Sequence, residues 1–197
     1  MPPTDRSPER RRKLTPILAR AFAELGYRRT TTQELARRCG VQETILYRLW
    51  PDKQRMFLAA IEYVYQLSSD TWLALLGESD GDRSAAERIL AHESRHQGEF
   101  GLYRIIFAGL SEADDPEIRR ALADMYARFQ RFIEKQIAEH HRRSGKATLP
   151  SAELAAWAVI GLGTVANIGK ELELLTDPKR RRLIVEIGAL LLEGRVA

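Results

Sequence analysis

His92-Glu93-Ser94-Arg95-His96 is the stretch whose residue types and spacing come nearest to catalytic machinery. On a helix, positions i and i+4 share a face, so the two imidazoles could hold a zinc ion while Glu93 activates its water. Hydrolysis there needs a third ligand and a cleft that excludes water. The charged Arg95 and polar Ser94 inside the motif fit a solvated helical face instead. Gly161-Leu162-Gly163-Thr164-Val165-Ala166 matches the glycine pattern that brings a backbone close to a dinucleotide, but that chemistry needs a preceding strand. Nothing in the chain alternates apolar and polar with period two, and no Walker loop or Ser/His/Asp arrangement is present. The chain therefore reads as a non-enzyme with no cofactor and no metal. A metal-dependent hydrolase through His92, Glu93 and His96 is the alternative.

Hydrogen-bonding side chains of another kind gather in residues 30–53, TTTQELARRCGVQETILYRLWPDK. Thr31 and Glu34 have the T-x-x-E spacing of a capping box, so a helix starts at about Thr32. Leu35, Ala36 and Cys39 repeat on one face, and Gly40 supplies the left-handed residue that ends the helix, with Val41 turning back onto the core. A second helix runs from about Thr44 to Trp50. Its Leu46, Leu49 and Trp50 point inward and its Thr44, Tyr47 and Arg48 outward. Two short helices around a Gly-containing turn form a helix-turn-helix, whose second helix fits the DNA major groove.

From about Leu14 to Phe57 the sequence resembles the TetR-type bacterial transcriptional regulators. The resemblance rests on Ala21-Phe22, Gly26-Tyr27, Thr31-Thr32, Leu35-Ala36, Gly40-Val41, Leu46-Tyr47 and Lys53. It implies an all-α fold of about nine helices, with an N-terminal three-helix helix-turn-helix domain (1–53) and a larger helical ligand-binding and dimerisation domain (54–197). Resemblance and helical wheel together put Thr32, Gln33, Thr44, Ile45, Tyr47, Arg48 and Lys53 on the DNA face. Thr32 and Gln33 at a helix start suit a phosphate. The Arg48 fork suits guanine O6 and N7, and Ile45 a thymine methyl. Tyr47 and Lys53 match the family's phosphate contacts, although Tyr47 also suits packing on the domain surface. Gln42 and Thr44 depart from the family's usual small residues. Glu43 either accepts from a cytosine amino group or suits the helix N-terminus.

Charge supports nucleic acid as the partner. Residues 1–53 carry twelve Lys/Arg against six Asp/Glu, a net of +6, while the remainder carries 19 against 21, a net of −2. Such an asymmetry beside a helix-turn-helix is the footprint of phosphate binding. Arg6, Arg10, Arg11, Arg12 and Lys13 form a basic segment ahead of an amphipathic helix 1 (Leu14, Ile17, Leu18, Ala21, Phe22, Leu25). Pro16 cannot donate to the Arg12 carbonyl, so helix 1 either starts near Thr15 or is kinked there. In the first case the arginines form an arm able to reach phosphates or the minor groove, or a solvated terminus. One cysteine excludes an intramolecular disulfide framework and a Cys-based zinc cluster. The polar N-terminus and the lack of a long apolar run predict a cytoplasmic protein with no membrane partner.

Beyond residue 53 the pattern predicts a fourth helix from about Lys53, capped by Asp52, into the mid-70s, where it could carry a ligand signal. A polar loop (77–84) and a helix to about Gln97 follow, then one from about Phe100 to Leu110. A long helix opens at Asp115-Pro116 and ends in His140-His141-Arg142-Arg143. A loop, 144–153, precedes the last two helices. Tyr63, Trp72, His92, Tyr103, Phe107 and Met125 are candidate walls for an unknown small-molecule ligand, or plain core. These last helices, about 151–175 and 177–192, are apolar on too many sides to stand alone, which implies a partner or a fully buried monomer core. Gly161, Gly163 and Gly169 permit close helix approach. The resemblance implies a homodimer through these helices, placing recognition helices about 34–36 Å apart on a palindromic operator. The reading is of a ligand-responsive repressor. A constitutive DNA-binding protein without inducer is the alternative.

Overall fold

The computed structural model describes residues 7–77, 83–98, 101–145 and 148–196. Arg6, Phe100 and the centre of the 77–84 loop lie outside the described residues. Among those described the chain is nearly all helix: α1 (Ser7–Arg29), α2 (Thr32–Cys39), α3 (Glu43–Leu49), α4 (Lys53–Gly77), α5 (Ala85–His96), α6 (Arg104–Leu110), α7 (Pro116–Ser144), α8 (Ala152–Glu171) and α9 (Asp177–Glu193). One feature was not anticipated, a two-residue antiparallel pairing of β1 (Thr148–Leu149) with β2 (Arg195–Val196).

Local chemistry sets most of the boundaries. The Asp52 carboxylate accepts the Arg55 N–H at 2.7 Å and so opens α4. Asp115 accepts the Glu117 and Ile118 N–H groups at 2.9 and 3.1 Å, opening α7 with Pro116 first. Ser84 and Glu87 make a reciprocal capping box at the start of α5. Gly101, at φ 64°, stands outside the right-handed region, so α6 begins only at Arg104.

Three expectations need correction. Helix 1 does not start near Thr15: it begins at Ser7 and runs through Pro16, with torsions leaving the helical region only at Gly26 (φ 75°, ψ 168°). The Thr15 hydroxyl donates to the Arg11 carbonyl at 2.7 Å, so polar contact is kept in the turn that loses the proline's donor. Arg10 to Lys13 are therefore helical and not an arm. Second, α8 stops at Glu171 rather than Leu175. Glu173 takes φ 55°, the Leu174 N–H returns to the Gly169 carbonyl, and a Cβ on Gly169 would stand 2.5 Å from Leu175 Cδ1. Gly169 thus admits a turn and not a neighbouring helix, while Gly161 has nothing within 4 Å of where its Cβ would be. Close approach falls at Gly163, as expected, where a Cβ would stand 2.7 Å from Gln97 Nε2 at the end of α5, and at Gly188, where a Cβ would meet Leu90 Cδ1 at 2.3 Å. Third, α8 is long and apolar enough to cross a membrane by length and composition, with a mean hydropathy of 1.3. Only 28% of that stretch is buried inside the chain, so most of its apolar surface faces outward.

By contacts the chain forms two compact units, Met1–Ser68 with Phe100–Met125, and Ser69–Glu99 with Tyr126–Ala197. This is a different cut from the one the sequence pattern places at residue 53. In the first unit α1 packs on α2, α3 and α6 around fully buried Leu18, Phe22, Leu35, Leu46, Phe57 and Ile105. The Phe22 and Phe57 rings meet edge to face at 4.9 Å. Arg28 to Glu112, Gln54 to Asp115 and Arg55 to Glu117 bind α1 and α4 to residues 112–117, which explains why that segment belongs with the helix-turn-helix. In the second unit α5 and α8 pack on α9 over Ala86, Ile137, Ala155, Ala156 and Leu192.

Candidate nucleic-acid interface

The turn between α2 and α3 is built as its sequence demands. Thr31 accepts the Glu34 N–H at 3.1 Å, and Gly40 sits at φ 65°, with its N–H turned back to the Ala36 and Arg37 carbonyls. The Val41 N–H reaches the Ala36 carbonyl at 3.0 Å, closing the left-handed cap. Only half of the expected capping box forms. The Glu34 carboxylate binds Arg37 and Arg38 at 2.7 Å instead of returning to Thr31. The Arg37 bond above all, then Arg38, holds that carboxyl down to about 2. Arg38 also pairs with Glu24 of α1. Cys39 is half-buried, and burial pushes its thiol up to about 11, which makes it a poor nucleophile.

Helix α3 is two-faced. Leu46, Leu49 and Trp50 are at most 5% exposed, whereas Thr44, Tyr47 and Arg48 are exposed on the opposite side. The predicted set otherwise divides by partner. Thr32 donates its hydroxyl to Glu43 Oε2 at 3.0 Å and accepts the Tyr47 hydroxyl at 3.2 Å. Thus three of the expected DNA-facing residues hold one another, and Glu43 lies against the start of α2. The Gln42 side chain caps nothing. Gln33 is exposed and Ile45 half-buried. The Lys53 ammonium donates to the Tyr27 carbonyl at 3.1 Å and lies 4.3 Å from the centre of the Tyr27 ring. Arg48 has no hydrogen-bond or ion-pair partner among the described residues, which leaves its whole fork open to a ligand.

Sequence reasoning missed Arg11. Its Nε–H donates to the Leu49 carbonyl, 38 residues away, at 2.8 Å. The continuous helix through Pro16 makes this reach possible. The contact carries no local spacing signal, unlike the Glu34, Arg37 and Arg38 ladder at i, i+3 and i+4.

The candidate ligand residues are not all brought together. Tyr63, Tyr103, Phe107 and Met125 belong to the first unit, Trp72 and His92 to the second. Tyr103, Trp72 and Met125 are buried, and Tyr63, His92 and Phe107 half-buried. The His92–His96 motif is not the wholly solvated face expected. Arg95 and His96 are exposed, but Ser94 is buried and Glu93 accepts the Trp72 indole N–H at 2.7 Å. The Trp72 ring stacks on Phe132 at 5.1 Å and tilts against Phe129 at 5.3 Å. Burial in this aromatic surrounding pushes the Glu93 carboxyl up, against the opposing pull of Trp72 and the two imidazoles. Glu93 turns inward toward the indole.

Residues 18–60 match the family model for bacterial regulatory proteins of the tetR family. The chain thus carries, at residues 18–60, the segment that this family model describes. The match spans α2 and α3 and makes that segment the DNA-binding part of a transcriptional regulator. Over 160 residues it is 27% identical to the nucleoid occlusion factor SlmA of Vibrio campbellii, covering 77% of this chain and 79% of that protein. The fold is shared with a TetR-family transcriptional regulator from Cytophaga hutchinsonii (TM-score 0.77, 15% identity, 98% of each chain). It is shared also with AibR, whose structure holds isovaleryl coenzyme A and operator DNA (TM-score 0.68, 16% identity, 94% of this chain and 100% of that one).

Proposed function

We propose that this regulator is a cytoplasmic homodimeric repressor that reads a palindromic operator through α3 and leaves it when a small molecule binds. The observation that carries the reading is the two-faced α3: a buried Leu46-Leu49-Trp50 face and an exposed face on which Arg48 has no partner among the described residues. Arg48 reads guanine, Thr44 and Ile45 line the same groove, and Thr32, Gln33, Tyr47 and Lys53 hold phosphates. Contact with phosphate replaces the Tyr47–Thr32–Glu43 and Lys53–Tyr27 bonds of the free protein.

The second copy covers α8 and α9. Leu154, Trp157, Val165 and Leu172 on α8 and its end, with Val185, Ile187 and Leu190 on α9, are 41–64% exposed. So much exposed apolar side chain on adjacent helices supports an isologous partner. Release follows if the ligand has higher affinity for a dimer whose recognition helices are spaced wrongly for the operator. AibR, held with both isovaleryl coenzyme A and operator DNA, supports a small molecule and an operator as the two partners and does not bear on release. Tyr63, Trp72, His92, Tyr103, Phe107 and Met125 are its candidate contacts here.

The likeness to the nucleoid occlusion factor SlmA favours the second reading, a constitutive DNA-binding protein without inducer. Selection of bound duplexes from a random pool tests the first step of both readings. An enriched palindrome with half-sites about one turn apart is expected, and no enrichment by the folded dimer would overturn the assignment of α3. Mapping of bound sites across the genome then separates the two. A few promoter sites fit the repressor, and dispersed sites fit the second reading.

A further inference from the structure

We infer that Arg11 is a positioning residue for base recognition, fixing the C-terminal end of α3 and thereby the aim of Arg48. The inference rests on the reading of α3 as the base-reading helix. A seven-residue helix cannot hold its own conformation in water, so the contacts at its ends and on its buried face set its orientation. At the N-terminal end Gln42 supplies no cap, and the Thr32–Glu43 bond ties the first residue of α3 to the first of α2. At the C-terminal end the last backbone bond runs from the Trp50 N–H to the Leu46 carbonyl, after which Trp50 is extended. Pro51 has no N–H to offer. The Leu49 carbonyl is therefore one of the orphan acceptors of a helix end, and no backbone donor among the described residues meets it.

Arg11 fills that place. Its Nε–H meets the Leu49 oxygen at 2.8 Å, and its positive charge stands at the negative end of the α3 dipole. Arg48 is the residue before Leu49 in the chain. A bidentate contact to a base tolerates little rotation, so freeing the carbonyl of the next residue loosens the geometry on which discrimination depends. Arg10 and Arg12 flank Arg11 with equal charge and equal exposure, yet neither has a hydrogen-bond partner among the described residues. The three arginines thus separate one positioning residue from two solvated charges.

The experiment compares full-length wild type, Arg11→Ala and Arg12→Ala on the selected duplex and on a random duplex of the same length, over a salt series. Arg11→Ala is expected to lower the specific-to-random affinity ratio about tenfold. Its salt slope should stay within that of Arg12→Ala, which keeps the full ratio. An unchanged ratio for Arg11→Ala, whatever its melting temperature, overturns the inference, because a merely stabilising contact moves Tm alone. A salt slope reduced by about one with equal losses on both duplexes also overturns it, since that is the signature of a phosphate contact. If Arg11→Ala does not fold, Arg11→Lys replaces it, keeping the charge but changing the reach and geometry of the donor. A lowered ratio at unchanged salt slope then supports the inference, and an unchanged ratio overturns it. A wild type that enriches no sequence overturns the reading of α3 and this inference together. A wild type that enriches one, while the Arg11 variant keeps the ratio, overturns this inference alone.

Discussion

In the α2–α3 segment most polar side chains have a partner inside the protein, whereas α8 and α9 leave large apolar side chains in solvent. Glu34 holds two arginines, Thr32 joins Glu43 to Tyr47, and Lys53 rests on Tyr27, all within the first unit. On the other side, Trp157 is 46% exposed and Leu190 64%, and the buried Asn167 Oδ1 and Arg180 Nη1 have no hydrogen-bond partner among the described residues. The first region is complete without its ligand and can exchange internal hydrogen bonds for phosphate oxygens at little net cost. The second is incomplete until apolar surface covers it, because exposed hydrocarbon is costly in water and has no alternative partner there.

The largest effect should come from breaking the second region. Trp157→Arg or Leu190→Arg places a charge where a second copy would pack, so both should give a folded monomer by sedimentation. The monomer should lose about a hundredfold or more in affinity for a palindromic duplex, since the second half-site no longer binds as part of the same molecule. A variant that stays dimeric would move the interface elsewhere. The next effect sharpens the first region. Arg48→Ala should cost about 1–3 kcal/mol on the selected duplex and little on random DNA. Lys53→Ala should weaken both and lower the salt slope by about one unit. Equal losses on both duplexes from both variants would sink the division of roles.

Glu43→Gln tests whether the internal partners compete with DNA. Removing a carboxylate from the place a phosphate would take should tighten binding to every duplex about two- to fivefold. A loss confined to the selected duplex would instead make Glu43 a cytosine reader. The smallest effect concerns the buried carboxylate of the second unit. Burial raises the Glu93 pKa in the folded state, so the folded state binds its proton more tightly than the unfolded chain does. The stability this contributes is fully present below the unfolded carboxylate range and is lost as pH rises through the folded value. Glu93→Gln keeps an acceptor for Trp72 without a charge. It should raise Tm by about 2–4 °C at pH 8 and leave it unchanged at pH 4.

The parts of this protein legible in its sequence are those decided within a few residues. Thr31, Gly40, Asp52 and Asp115-Pro116 each act on backbone groups two to five positions away, and each stands where the pattern put it. Pro16 left open a start near Thr15 or a kink, and helix 1 runs through it from Ser7. Glu93 misled because the charged Arg95 and polar Ser94 beside it suggested a solvated face, while Trp72, 21 residues earlier, draws it inward. Gly169 was read for the helix it might approach, and it receives the Leu175 side chain of its own turn.

The sequence by itself determined an all-helical regulator, a helix-turn-helix at 31–50, and the outward face of α3 that carries Arg48. Capping, glycine torsions and the 3.6-residue period are local properties, and these features depend on little else. Only the tertiary structure decided which of the basic residues in the first 53 are open to a ligand and which are already bound. Arg11 on Leu49, Lys53 on Tyr27 and Arg38 on Glu24 are contacts across 14 to 38 residues, fixed by how α1 packs against its neighbours. A charge count cannot see them, because whether a guanidinium meets a carbonyl or a phosphate is set by where the fold brings the two ends of that distance.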